Sequence, residues 1–133
     1  MVLWKRSFSK IGQWYESKII VDKHSKFQSR HVEIKCKDDI DEALTQLRGI
    51  KEISKATHPH MIAWKVDDRE MGFNDGGEKG AGSRLLDLLL QYKLNNVLLI
   101  CTRWYGGKPL GGARFRHIKY TAVDSLRRGN KIP

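Results

Sequence analysis

The longest unbroken apolar run in the chain is Val97–Cys101, and Thr102 extends it. A continuous run without polar alternation predicts a central strand of a sheet rather than an edge strand. It is far shorter than the roughly 20 apolar residues that cross a bilayer as a helix. No secretory apolar stretch follows Met1, so neither a membrane-spanning nor an exported protein is expected. A central strand needs partners, and the rest of the sequence supplies them in alternation with helices.

Ser17–Val21 and Phe27–Cys36 read as strands on either side of the polar turn Asp22-Lys23-His24-Ser25. In the second, Val32, Ile34 and Cys36 mark one apolar side, the pattern of a half-exposed antiparallel strand. Asp38 and Asp39 open a helix with Asp41 and Glu42 in its first turn, where acids complement the helix dipole. Asp39 and Glu42 also have capping-box spacing. Ile40, Ala43, Leu44 and Leu47 give that helix one buried stripe, and Gly49 stops it. Met61–Val66 is the next strand, with Pro59 just ahead of it. Asp67–Gly80, rich in glycine and acids, reads as a loop. Ala81–Tyr92 is the most apolar helix, with Leu85, Leu88, Leu89 and Tyr92 on one face and Leu86 and Leu90 widening it. Beyond the central strand, a second glycine-rich loop over Tyr105–Gly112 feeds a final helix that ends at about Arg128. Phe115, Ile118, Ala122 and Leu126 form its core-facing side. The order ββαβαβα predicts a two-layer α/β (α+β) sandwich, a mixed four-stranded sheet with helices covering one face.

The 133 residues suit a single domain whose core needs neither disulfide nor structural metal. Cys36 and Cys101 lie in β-like runs without ligand spacing and are read as small buried hydrophobes of a reducing compartment. Residues 1–13 place Trp4, Phe8 and Ile11 at helical spacing among Lys5, Arg6 and Lys10. They form either an arm packed on the core or a short basic leader of the mitochondrial type. The domain proper is placed at 14–129, with 130–133 as a tail. The expected compartment is the cytoplasm, with the mitochondrion as the alternative that a leader implies.

The formal net charge is +10, and residues 88–133 carry +8 of it, with Asp124 their only acid. Such a surplus attracts an acidic protein face or a polyanion such as RNA, although it also serves simply to solvate a helix.

Two glycine-rich segments, Asp75–Arg84 and Arg103–Arg114, run straight into helices. Glycines permit tight turns, and helix N-termini offer unpaired N–H groups, so together they make an anion cradle. Neither has the GxxxxGK[ST] or GxGxxG spacing of a nucleotide loop. In the first, Asp75 and Glu78 repel a phosphate unless Arg84, Arg103 or a metal neutralises them. The competing expectation is that they pair with a nearby arginine and pin the loop. The second is the stronger candidate: Arg103, Lys108, Arg114, Arg116 and Lys119 succeed one another with no acid between. Trp104 and Tyr105 add rings suited to stacking on bases or anchoring a protein contact, while Phe115 is assigned to the core. His58-Pro59-His60 puts two imidazoles at same-face strand spacing, with His117 a distant third; no metal site is expected. No cofactor and no catalytic constellation is recognised, so an enzyme is not expected.

Asp75-Gly-Gly-Glu78 followed by Ala81-Gly82-Ser-Arg84-Leu-Leu86 resembles the D-D-G-E…A-G-x-R-L-L signature of the IMPACT family (YigZ-like). Arg103-Trp-Tyr-Gly-Gly107, Leu110-Gly111 and Arg114-Phe-x-His117-Ile118 resemble its second signature, and Asp22–Phe27, His60–Trp64 and Asn96-Val97 fit as well. Several motifs in the right order are far more specific than one. The resemblance implies a fold like the second domain of ribosomal protein S five. It also implies a non-catalytic regulatory module of translation under stress, since eukaryotic members bind the ribosome-associated activator of the general-control starvation kinase. The motif residues carried here are Asp75, Gly77, Glu78, Gly82, Arg84, Gly106, Gly107 and Gly111. Gly76 stands where the signature has a second acid, which weakens any metal or carboxylate pair at that place. The chain is expected to stand without the amino-terminal RWD domain of eukaryotic members and the extra carboxy-terminal domain of bacterial ones. Two other readings remain open: a domain binding RNA or the ribosome directly through the same patch, and an enzyme binding a phosphorylated small molecule at the glycine loops.

Overall fold

The computed structural model describes residues 11–133, so the reading of the first ten residues as arm or leader lies outside the described part. Within it, β1 (Tyr15–Glu16), β2 (Ile20–Asp22) and β3 (Ser25–Glu33) come first. Helices α1 (Asp38–Arg48) and α2 (Lys51–Ser54) follow, then β4 (His58–Asp67), β5 (Glu70–Asn74), α3 (Ala81–Gln91), β6 (Val97–Trp104) and α4 (Ala113–Arg128). The sheet runs β3-β6-β4-β5, and β1 and β2 both pair with the outer side of β3.

The α/β sandwich stands, with three corrections. First, every strand pairing among the described residues is antiparallel, so the sheet is not mixed. β3 and β4 do run the same way, joined by the α1–α2 crossover, as alternation predicts. But β6 slots between them, antiparallel to both, and they never touch as neighbours. Second, the sheet has six strands: two short ones, β1 and β2, stand where one was expected over Ser17–Val21, and Glu70–Asn74 inside the expected loop adds a strand to the edge of β4. Its turn is held by Asp67, whose Oδ1 accepts from the Arg69 and Glu70 amides at 2.8 and 2.9 Å. Third, helices cover both faces. Val97, Leu99 and Cys101 join Phe27, Met61 and Ala63 beneath α3 and α4, while Leu98 and Ile100 join Val32, Ile34 and Ile62 beneath α1 and α2. Ile11 is buried in the second cluster. The unbroken apolar run of β6 is the sequence consequence of burial on both sides.

The same correction applies to β3, expected to be half exposed. Phe27, Ser29 and His31 are buried under α4, whose Thr121 and Ser125 meet them in a polar seam inside the core. Ser29 and Thr121 hydroxyls lie 2.7 Å apart. Ser125 donates to the Tyr15 carbonyl at 2.8 Å and so accepts from His31 Nδ1, also at 2.8 Å. His31 Nε2 is therefore the bare nitrogen, and it is buried without a partner. Tyr15 stacks on the imidazole, and a side chain at Gly129 would collide with it.

Burial, aided by nearby Lys131, holds the His31 pKa down to about 4 from its usual 6.5. Because the folded pKa is lowered, the stability it contributes is full above about pH 6.5 and is lost as pH falls toward about 4, where the unfolded chain binds a proton that the folded protein refuses. Urea denaturation is expected to show the stability difference between wild type and His31→Gln shrinking by about 3 kcal/mol from pH 7 to pH 4. A difference that stays constant with pH would show that His31 is not held neutral.

Candidate functional site

The two glycine-rich loops, far apart in the chain, meet at one carboxylate. Glu78 is only 6% exposed. Its Oε1 accepts from Arg103 Nη1 at 2.6 Å and from Arg114 Nε at 2.9 Å, and its Oε2 lies 3.2 Å from His58 Nε2. Arg103 (4% exposed) also points Nη2 at Ser25 Oγ, 3.4 Å away. Its guanidinium lies 5.1 Å from the Phe27 ring centre and 5.3 Å from that of Tyr105. Beside this cluster opens a cleft of about 380 Å³, walled by Thr57, His58, Lys79, Tyr105, Pro109 and Leu110 and floored by Glu78 and Arg103.

Local geometry explains the rest of the loops. Asp75 caps α3: its Oδ2 and Oδ1 accept from the Gly80 and Gly82 amides at 3.1 and 2.8 Å. Gly76 and Gly77 both take positive φ, and any side chain at Gly76 would run into the backbone carbonyl of His60. Gly82 lets α3 lie against Asn74 of β5, and Gly106 packs on the His24 backbone in the β2–β3 turn. Gly107 and Gly111 take positive φ in open space.

Structure thus divides the residues that the sequence groups together. Arg103 is no surface cation but a buried partner of Glu78. Trp104, one residue on along β6, points to the opposite face of the sheet, where its indole donates to the Glu52 carbonyl at 2.9 Å and Lys26 lies over its ring. Arg114 is tied to Glu78 and to the Gly111 carbonyl, 2.6 Å away. Phe115, expected in the core, sits half-buried at its rim between the guanidiniums of Arg84 at 3.7 Å and Arg114 at 4.3 Å. Tyr105 stays exposed at the cleft mouth, and Lys108 is exposed on the loop beyond it. Arg116 and Lys119 project from α4 into solvent and make no ion pair among the described residues.

His58 belongs to the site and sequence reasoning missed it. A β-bulge between His58 and Met61 pairs His58 with Arg103, which brings its ring to the Glu78 side. His60 is consequently not on the same face. Burial and the charges of Arg48 and Arg30 across the sheet lower its pKa. His117 is bound instead to Asp22 at 2.8 Å, so the three imidazoles do not converge. No group of three metal-ligating side chains occurs among the described residues.

The family model described as the Impact N-terminal domain matches residues 23–126. An IMPACT family member of Saccharomyces cerevisiae is 37% identical, the match covering 90% of this chain and 94% of that protein. The match to the IMPACT homolog of Dictyostelium discoideum, in contrast, covers 33% of that protein. Among solved structures, the two-domain translational regulator Yih1 superposes with a TM-score of 0.57 at 32% identity, over 86% of this chain and 46% of that one. The crystal structure of a hypothetical protein shares the fold at a TM-score of 0.74 and 22% identity, over 88% of this chain and 62% of that one.

Truncating Glu78 to alanine strands one buried and one half-buried guanidinium. The expected cost is about 3–5 kcal/mol in urea denaturation. Asp75→Ala removes only a helix cap and is expected to cost about 1 kcal/mol. Equal losses in the two variants would show that the ion cluster does not organise the loops.

Proposed function

The chain belongs to the IMPACT family, and on that premise we propose that it is a non-catalytic regulatory binding module whose partner is a protein of the translation-control machinery or the ribosome. The name of Yih1 as a translational regulator supports the regulatory reading. The observation that carries the surface assignment is the outer face of α4. There Arg116, Lys119, Tyr120 and Val123 line an open groove of about 670 Å³ against Ile20 of β2. Tyr120 is 49% exposed, and Lys18 lies over its ring. An exposed tyrosine between unpaired cations has the composition of a protein-binding hot spot, and it suits a partner with an acidic rim and an apolar centre.

This face is narrower than the run of cations in the sequence suggests, because Glu78 holds Arg103 and Arg114 and Asp124 holds Arg128. The same separation weighs against direct RNA stacking on Trp104, which faces away from α4. Cys101 is fully buried, and its thiol is pushed up to about 11 chiefly by burial, which removes it as a nucleophile.

The double variant Arg116→Ser/Lys119→Ser is expected to lower retention on ribosomes and on the purified kinase activator at least about tenfold, with stability within about 0.5 kcal/mol of wild type. Undiminished retention would move the contact surface elsewhere. Retention that disappears with nuclease and falls steeply with salt would instead assign the face to RNA.

A further inference from the structure

The cleft between the glycine loops holds more positive charge than its own carboxylate answers. Lys79, Arg103 and Arg114 line it against Glu78 alone, a surplus of two fixed charges before His58 is considered. The negative charge of Glu78 is already counted in that surplus: its carboxylate is buried, with Arg103 and Arg114 on one oxygen and His58 3.2 Å from the other. Lys79 is exposed and makes no ion pair among the described residues. Arg103, although buried, has an Nε with no hydrogen-bond partner.

Helix termini add to this imbalance. The N-terminus of α3 is answered by the Asp75 carboxylate. That of α4 is not: Gly112 provides no side-chain cap and the first turn contains no acid. Leu110 and Gly111, which lead into that turn, line the cleft. An unanswered helix N-terminus beside surplus guanidinium and ammonium groups attracts a compact anion.

We propose that this cleft binds a small phosphomonoester. The charge decides between anions. A phosphomonoester carries about −1.5 to −2 near neutral pH and matches the surplus of two, whereas a carboxylate neutralises only half of it. The phosphoryl oxygens accept from Lys79 and from the Arg114 guanidinium over the Arg103–Glu78 floor. At about 380 Å³ the space exceeds a bare phosphate and falls within the range of small-molecule sites. Tyr105 and Pro109 on the wall offer an aromatic and an apolar surface for the esterified part. Partner docking on the outer face of α4 is a separate matter, and either site stands without the other.

The test is an amide-resonance titration of the full ¹⁵N-labelled chain with inorganic phosphate, AMP, adenosine and acetate at constant ionic strength. Saturable shifts confined to Gly77–Gly80, Leu110–Arg114 and Tyr105 are expected with phosphate and AMP, with AMP the tighter. Lys79→Gln, a change at an exposed side chain, is expected to weaken AMP about tenfold, the loss of roughly one charged hydrogen bond. Arg114→Gln weakens it at least as much, and Lys51→Gln in α2, across the sheet, leaves it unchanged. Non-saturating shifts spread over surface lysines, a response to adenosine or acetate equal to that to AMP, or unaltered affinity in Lys79→Gln would each overturn the assignment.

Discussion

Glu78 accepts two guanidiniums and faces an imbalance that it cannot itself cancel, and the arrangement of both glycine loops depends on it. Burying such a cluster is close to neutral in free energy, because desolvation of the charges offsets most of their attraction. Its effect is on geometry. A carboxylate with Arg103 and Arg114 on one oxygen and His58 near the other fixes the start of α4 relative to the end of β6 and the start of β4. Any other pairing of these groups would leave a buried charge unanswered, which costs several kcal/mol. The cleft is the space left beside that choice.

The sheet beneath imposes the second constraint. β6 is covered by helices on both faces, so its neighbours must present side chains compatible with two different layers. Toward α1 and α2 the buried contacts are aliphatic, rimmed by Trp14, bonded to Gln46 of α1, and Trp104, bonded to the Glu52 carbonyl of α2. Toward α4 they mix Phe27 and Leu99 with the Ser29–Thr121 and His31–Ser125 pairs. Hydrogen bonds are directional where apolar contacts are not, so this seam sets the axial position of α4 on the sheet. That position carries Arg114 to Glu78 at one end of the helix and Tyr120 to the β2 groove in its middle.

Much of this was legible in the chain. The helices beginning at Ala81 and near Gly112, and the strand beginning at Val97, lie where apolar periodicity and glycine punctuation put them. An arginine partner for the acids of the first loop was also an open expectation, and Glu78 has two. β5 escaped because its two alternating apolar residues, Met71 and Phe73, stand among the acids and glycines of Asp67–Gly80 and make too short a pattern to outweigh them; it is a strand through its ladder to β4. Helical cover on both faces was readable in Val97–Cys101, but the weaker alternation of Phe27–Cys36 pointed to one exposed face. Ser29 and His31 look like surface residues to any hydropathy rule, and they are buried because Thr121 and Ser125 bond to them. Trp104 and Arg103 were grouped as neighbours in sequence, although consecutive strand residues point to opposite faces.

By itself the sequence determined what local forces can specify: helix starts and stops, a central strand, loops where glycine takes positive φ, and an excess of cations toward the C-terminus. Only the tertiary structure decided which of those cations are free. Two arginines are drawn to a carboxylate 25 residues or more away in the chain, one tryptophan is turned to the far side of the sheet, and a bulge brings in His58. The reason is one of range. Backbone propensity and hydropathy act over a few residues, whereas the partner of a buried charge is whatever the packed fold brings within about 3 Å.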